Sequence, residues 1–337
     1  MSRRWRQRPP GSNWGECGDD DQLGRLNYLT DENTALAARE IQVGKRFCLS
    51  LPLDVPATDA TNPRRKPPIL KPVIRDGLTV FNLPIENFDP GNTGVVSDDA
   101  VLLYNQHSSQ WDAFAHMGAL FDADGDGVAE PIQYNGFSVL DEHGDARFGE
   151  LGAWHLGIEH MARHCVQGRG VMVNLRQHYG FMSHAVSYDD LMRILDTDGV
   201  TVEQGDIVCL YTGYADKLLE LGADVAGDLP HTHCPAFDGR DERLLNWITD
   251  SGLAVLVCDN RAVEFEHGPV PVGKRGPGLP LHEHCLFKLG IHLGEMWYLT
   301  ELAEWLHANG RYRFFLTAPP LHMPGAVGSP ANPVATV

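Results

Sequence analysis

DIVCLYTG, residues 206–213, is an unbroken apolar run that stops at a glycine. Its length and its Ile, Val and Tyr content suit a strand buried on both faces, with Gly213 as the break after it. Two similar stretches flank it, GRGVMVNL at 168–175 and LAVLVCDN at 253–260. Between them lie YDDLMRILDTDG (188–199) and RLLNWITDSG (243–252), each with helical apolar spacing and a closing Gly. A helix over 299–309 and a last strand, RFFLTAPP (313–320), extend the series. Strands alternating with helices predict an α/β fold, a sheet with helices packed on it. Polar residues just past the strand ends, Tyr211-Thr212-Gly213 and Asp259-Asn260, mark the side on which such sheets bind ligands.

Further out the pattern weakens. Residues 1–25 are rich in Arg, Gly, Asp and Pro and read as an irregular arm, and 26–337 as one domain. The start, MSRRWRQRPP, has no apolar segment after it, so the Arg3–Arg4 pair is not a secretion signal. DENTALAARE (31–40) predicts a short helix capped by Thr30 or Asp31, and FCLSLPL (47–53) a strand. Residues 54–76 hold five prolines and read as a surface loop, and VLLYNQ (101–106) as a strand.

The charge balance is 27 Lys+Arg against 45 Asp+Glu, a net of −18 over 337 residues. A polyanion would be repelled, which argues against nucleic acid and anionic membrane surfaces as partners. No apolar run approaches the ~20 residues that cross a bilayer. Seven widely spaced cysteines without a CxxC pair argue against a disulfide framework or a four-cysteine zinc site, and Cys209 and Cys258 sit in apolar runs. A cytoplasmic enzyme with a small-molecule substrate is the expectation. Neither GxGxxG, GxxxxGK[ST] nor GxSxG occurs, so nucleotide and serine-hydrolase readings lose their usual support.

Sixteen histidines stand out, in two clusters above all. The first is QHSSQWDAFAH, residues 106–116. In an extended chain Gln106, Ser108, Gln110 and Asp112 face one way and His107, Ser109 and Trp111 the other, and a turn returns His116 to the side of Asp112. An Asp, a His and amide oxygens converging on one point suit a divalent cation. The second cluster is His282-Glu283-His284, followed by Glu295 within LHEHCLFKLGIHLGE. On a helix from about 281 to 289 these neighbours do not share a face, so only a subset acts together.

These segments, with LNYLTDE (26–32), GDIVCLYTGY (205–214), VCDNRAVE (257–264) and PPLHMPGAVGSPANP (319–333), resemble in order those of the cyclase family. That family includes kynurenine formamidases, isatin hydrolases and related metal-dependent amide and lactone hydrolases. Its hallmark is HxGTHxDxPxH; here Asp112 and His116 match, while Gln106 and Gln110 replace both histidines and Phe114 the proline. The form resembles a longer QWD subgroup.

The resemblance implies a swivelling β/β/α fold with a mixed sheet, a homodimer or homotetramer, and one or two divalent ions, manganese or zinc. It implies Asp112 and Glu295 as metal ligands, completed by Gln110 and His282 (chosen over His284), with His116 as acid/base. Gln106 is a possible further ligand, and so is His107 if a bulge brings it round. Neutral amide oxygens favour manganese over zinc. Trp111 and Phe114 are candidates for a substrate wall or for plain core. The implied activity is hydrolysis of an amide, imide or lactone bond; the alternative is a non-catalytic small-molecule-binding member. Separately, Asp122, Asp124, Asp126 and Gly127 spell the start of a calcium loop, but Gln133 stands where a bidentate Glu belongs, so a solvated acidic turn is the favoured reading.

Overall fold

The computed structural model describes residues 4–337, apart from the side chain of Pro230. Arg3, the first of the arginine pair, lies outside the described residues. Nine strands form the main sheet: β1 (Arg46–Cys48), β2 (Gln110–Asp112), β3 (Gln167–Asn174), β4 (Ile207–Tyr211), β5 (Val255–Cys258), β6 (His292–Glu295), β7 (Arg313–Thr317), β8 (Gly328–Pro330) and β9 (Val334–Thr336). Their order is β1-β9-β7-β3-β4-β5-β6-β2-β8. Strands β3 to β6 run parallel, as the intervening helices require. The outer strands pair antiparallel, including β2 with both β6 and β8, so the sheet is mixed.

The central strands are apolar throughout because both faces are covered. Side chains alternate between faces with period two. Val171, Val173, Val208, Leu210, Leu256 and Leu293 pack on one side with Leu191 and Ile194 of the helix Tyr188–Asp198 and Leu244 and Ile248 of the helix Glu242–Ser251. Met172, Ile207, Cys209, Val255, Val257 and Trp111 pack on the other with Ile158 and Met161 of the helix Ile158–His164 and Leu302 and Leu306 of the helix Thr300–Ala308. The helix ends follow their local chemistry. Ser187 and Asp190 form a capping box, Gly199 closes that helix in the left-handed region, and Thr30 accepts from Asn33 N–H at the start of Asp31–Ala37.

Two segments differ from the sequence reading. The Pro-rich stretch 54–76 is a loop only to its middle. From Ile69 it becomes a two-stranded ribbon, Ile69–Pro72 against Asp99–Leu102, followed by two smaller hairpins. The strand expected over 101–106 ends at Leu102, and 103–109 is irregular. Ribbon residues are exposed on both faces, Leu70 at 73% and Val101 at 53%.

From Arg4 to Leu23 the chain has no helix or strand, yet it buries Trp5 and Trp14. Trp14 donates its indole N–H to Phe287 O (2.8 Å), and Asn13 its amide to Leu289 O (2.8 Å). The arm thereby braces the segment that carries His282. All seven cysteines are unpaired, with Cys209 and Cys258 buried. No helix among the described residues is long and apolar enough to cross a membrane.

Candidate metal centre

Strands β2 and β6 build the centre by register alone. Gln110 lies opposite Glu295, Trp111 opposite Gly294 and Asp112 opposite Leu293. Gln110 and Asp112 are two apart and share a face, so both carboxylates and the amide converge there. Trp111 falls on the other face. It is fully buried, packs edge-on against Trp297 with ring centroids 4.9 Å apart, and donates to Ala318 O.

His282 arrives from a different element. The short helix Pro280–His282 runs into a π-helical segment, Glu283–Leu289, closed by Gly290 with φ 58°. This π-helical winding replaces the regular helix expected over 281–289. Gly290 is needed twice over, for its positive φ and because the backbone of Gly24 packs directly on it. His282 Nε2 stands 3.1 Å from Glu295 Oε1 without the alignment of a hydrogen bond. One ligand atom each from Asp112, His282 and Glu295 lies within 4.8 Å of the others, and all three residues are buried.

Glu264, which no sequence argument singled out, fixes the imidazole. Its Oε1 is 2.8 Å from His282 Nδ1 and accepts the His282 backbone N–H at 2.9 Å, and its Oε2 accepts Leu281 N–H at 3.0 Å. A carboxylate on Nδ1 sets the tautomer and leaves Nε2 facing the centre, the usual support for a metal-bound histidine. Gln110 joins through its amide nitrogen, which donates to Asp112 Oδ1 (3.2 Å) and Glu295 Oε2 (2.9 Å). Gln110 Oε1, Asp112 Oδ2 and Glu295 Oε1 are left buried without a hydrogen-bond partner.

That arrangement is short of positive charge. Asp112, Glu264 and Glu295 are buried around one imidazole. Burial, with the charge of Asp112 added, raises the pKa of Glu295. Burial disfavours the imidazolium of His282, but Glu264 and Glu295 outweigh it and push its pKa up to about 10. Buried carboxylates that outnumber their cationic partners are costly, and a divalent cation bound by the orphaned oxygens and His282 Nε2 would relieve the cost. The donor set fits such an ion.

The remaining sequence candidates separate. His116 ends the turn Phe114–His116 and places Nε2 3.9 Å from Asp112 Oδ1, beside the cluster and with its side chain 21% exposed. His107 is turned away, its Nε2 2.9 Å from Pro56 O, because the chain before Gln110 is not extended. Gln106 keeps an unpartnered Nε2 near Gly328, where an added Cβ would lie 2.5 Å from it. His284 faces Thr249 (2.9 Å), away from the centre. Trp111 and Phe114 are core and not substrate wall: Phe114 is fully buried and stacks on His292 at 3.9 Å. Asp122, Asp124 and Asp126 form a second acidic group, exposed or partly so, whose oxygens accept backbone N–H groups of the same turn.

Comparison with known proteins places the chain in a family. The sequence profile described as "Putative cyclase" matches residues 48–265. A crystal structure described as a novel cyclase is 33% identical, covers 97% of this chain and 99% of its own, and superposes with a TM-score of 0.75. Isatin hydrolase A from Labrenzia aggregata is 12% identical over 92% of this chain and 98% of its own, with a TM-score of 0.55. Isatin hydrolase A from Ralstonia solanacearum is 14% identical over 91% of this chain and 96% of its own, also at 0.55. No curated protein sequence matches the chain. The profile spans more than half of the sequence and the first of these structures nearly all of it: the chain belongs to the cyclase family.

Proposed function

We propose that this chain is a metal-dependent hydrolase acting on an amide, imide or lactone bond. The observation that carries the reading is the set of buried, unpartnered acceptors around a histidine oriented by Glu264. The name isatin hydrolase, borne by two structures of the same fold, supports the reaction class. With oxygen donors outnumbering nitrogen, manganese suits the centre better than zinc. The cation would supply Lewis acidity and a water acidified from ~15.7 towards ~7.

The protein's own part follows from position. Asp112 and Glu295 hold the ion with His282, and Gln110 spaces the two carboxylates through its amide N–H groups. His116, at the edge of the cluster and open to solvent, takes a proton from the attacking water at Nε2 and returns it to the leaving nitrogen or oxygen. A hydrolysis screen over arylformamides, cyclic imides and lactones, with manganese, zinc and chelator arms, tests this. Turnover of one class that chelator abolishes is expected. No turnover by fully metal-loaded protein would replace the reading with that of a non-catalytic binding member.

A further inference from the structure

Residues 265–279 run without helix or strand from Glu264, which orients His282, to the helix Pro280–His282 that carries it. A stretch of that length without secondary structure is uncommon inside a domain and is usually functional. Midway along it Val272 is fully exposed, and Lys274 and Arg275 follow in GKRG. Both cations are exposed, and neither has a carboxylate within ion-pair distance among the described residues. In a protein of net charge −18, two adjacent cations in that state are set to meet an anion from outside.

The segment forms one side of a cleft of about 880 Å³, within the usual size of small-molecule sites. Met117, Gly118, Ala119 and Leu120, which directly follow His116, also line it. Leu279 and Glu283, on either side of the helix that presents His282, complete the connection. The cleft therefore runs along the segments that carry both the acid/base candidate and a ligand of the centre. Much of its surface is apolar: Leu120 is 68% exposed, and Met117, Val270 and Leu279 add to it. Glu283 contributes an acid, but Lys288 answers it at 3.4 Å, so the charge left for a ligand is that of Lys274 and Arg275. With Trp111 and Phe114 committed to the core, this cleft supplies the wall they do not.

We propose that this is the substrate cleft of the centre, taking an apolar aryl or alkyl body against Met117 and Leu120 and a carboxylate on Lys274 and Arg275. A guanidinium matches a carboxylate with two parallel hydrogen bonds, and the ammonium beside it adds a point charge. The inference rests on the hydrolase reading in one respect: the bond to be cleaved lies towards His116 and the ion. It narrows the substrate from any amide, imide or lactone to one that is apolar and carries an anion.

The test is calorimetric binding of phenylacetate, hydrocinnamate and phenylbutyrate, whose arms grade in length, each against its alcohol as neutral counterpart. It uses the full chain, the double variant Lys274→Gln with Arg275→Gln, Leu120→Ser, and a control, Lys45→Gln with Arg46→Gln, at the far edge of the sheet. Each is measured in manganese and in chelator. Native protein should bind at least one acid more tightly than its alcohol, in chelator as in manganese. The Lys274/Arg275 variant should lose about fivefold or more in acid affinity and nothing for the alcohols. Leu120→Ser should weaken acid and alcohol alike by about threefold, and the control should match native protein. An acid preference that survives in the Lys274/Arg275 variant, that is lost equally in the control, or that exists only with manganese overturns the assignment. So do unchanged affinities in Leu120→Ser, or no binding by native protein. A chain that takes up no manganese yet binds acids through Lys274 and Arg275 overturns the metal reading and leaves the cleft standing.

Discussion

Glu264 reaches the candidate metal centre only through His282, so its loss separates orientation from ligation. Glu264→Gln keeps the shape but weakens the hold on Nδ1, and should lower metal affinity by roughly 10–100-fold, read by competitive titration. His116→Ala should keep its metal and lose roughly 10²–10⁴ in turnover. Metal lost in proportion to activity would make His116 a ligand instead. Gln110→His puts an imidazole against the same two carboxylates and should shift preference from manganese towards zinc; an unchanged ratio would show that the residue 110 side chain does not reach the ion. Asp112, His282 and Glu295 were legible from type, spacing and family likeness. Glu264 was not, because eighteen residues and a whole loop separate it from the imidazole it orients. The alternation placed Trp111 on the face away from Gln110 and Asp112, as found; His107 needed a bulge to reach the centre, and the irregular chain before Gln110 turns it to Pro56 O instead, while Phe114 is core.

At the scale of elements, the β2–β6 pairing sets the distance between Gln110, Asp112 and Glu295. Gly294 sits at its centre, where an added Cβ would stand 3.0 Å from Val257 and 3.1 Å from both Trp111 and Trp297. Gly294→Ala should therefore cost about 1–3 kcal/mol in denaturant unfolding and weaken metal binding as the strands shift. The long apolar strands and capped helices were readable because their periods survive in the sequence. The ribbon from Ile69 was not: its strands are short, it contains Pro72, and neither face is buried to impose a pattern. The π-helical winding after His282 left no trace either, since Gly290 announces an end but not how the preceding turns are wound.

For the molecule as a whole, the exposed ribbon predicts self-association. Leu70 and Val101 on the ribbon, with Phe81 and Val95 around the small hairpins beyond it, are more than half exposed, and such two-stranded pieces are too thin to be stable alone. Sedimentation should show a dimer or tetramer, and Leu70→Asp with Phe81→Asp should shift it towards monomer; an unaltered monomer in the native protein would oppose this. The centre also couples to pH. Without metal, His282 holds its proton up to about 10, above its ordinary value near ~6.5. Its contribution to folding is then full below ~6.5 and is lost as pH climbs through about 10. A cation must displace that proton, so metal affinity should rise with pH across the neutral range.

Metal counted per chain by elemental analysis, in native protein and in Asp112→Ala after the same manganese loading and desalting, bears most directly on the centre. Native protein should retain about one equivalent, and the variant roughly none, since it loses a buried charged ligand. Equal metal in the two, or none in the native protein, would contradict a metal centre at Asp112, His282 and Glu295.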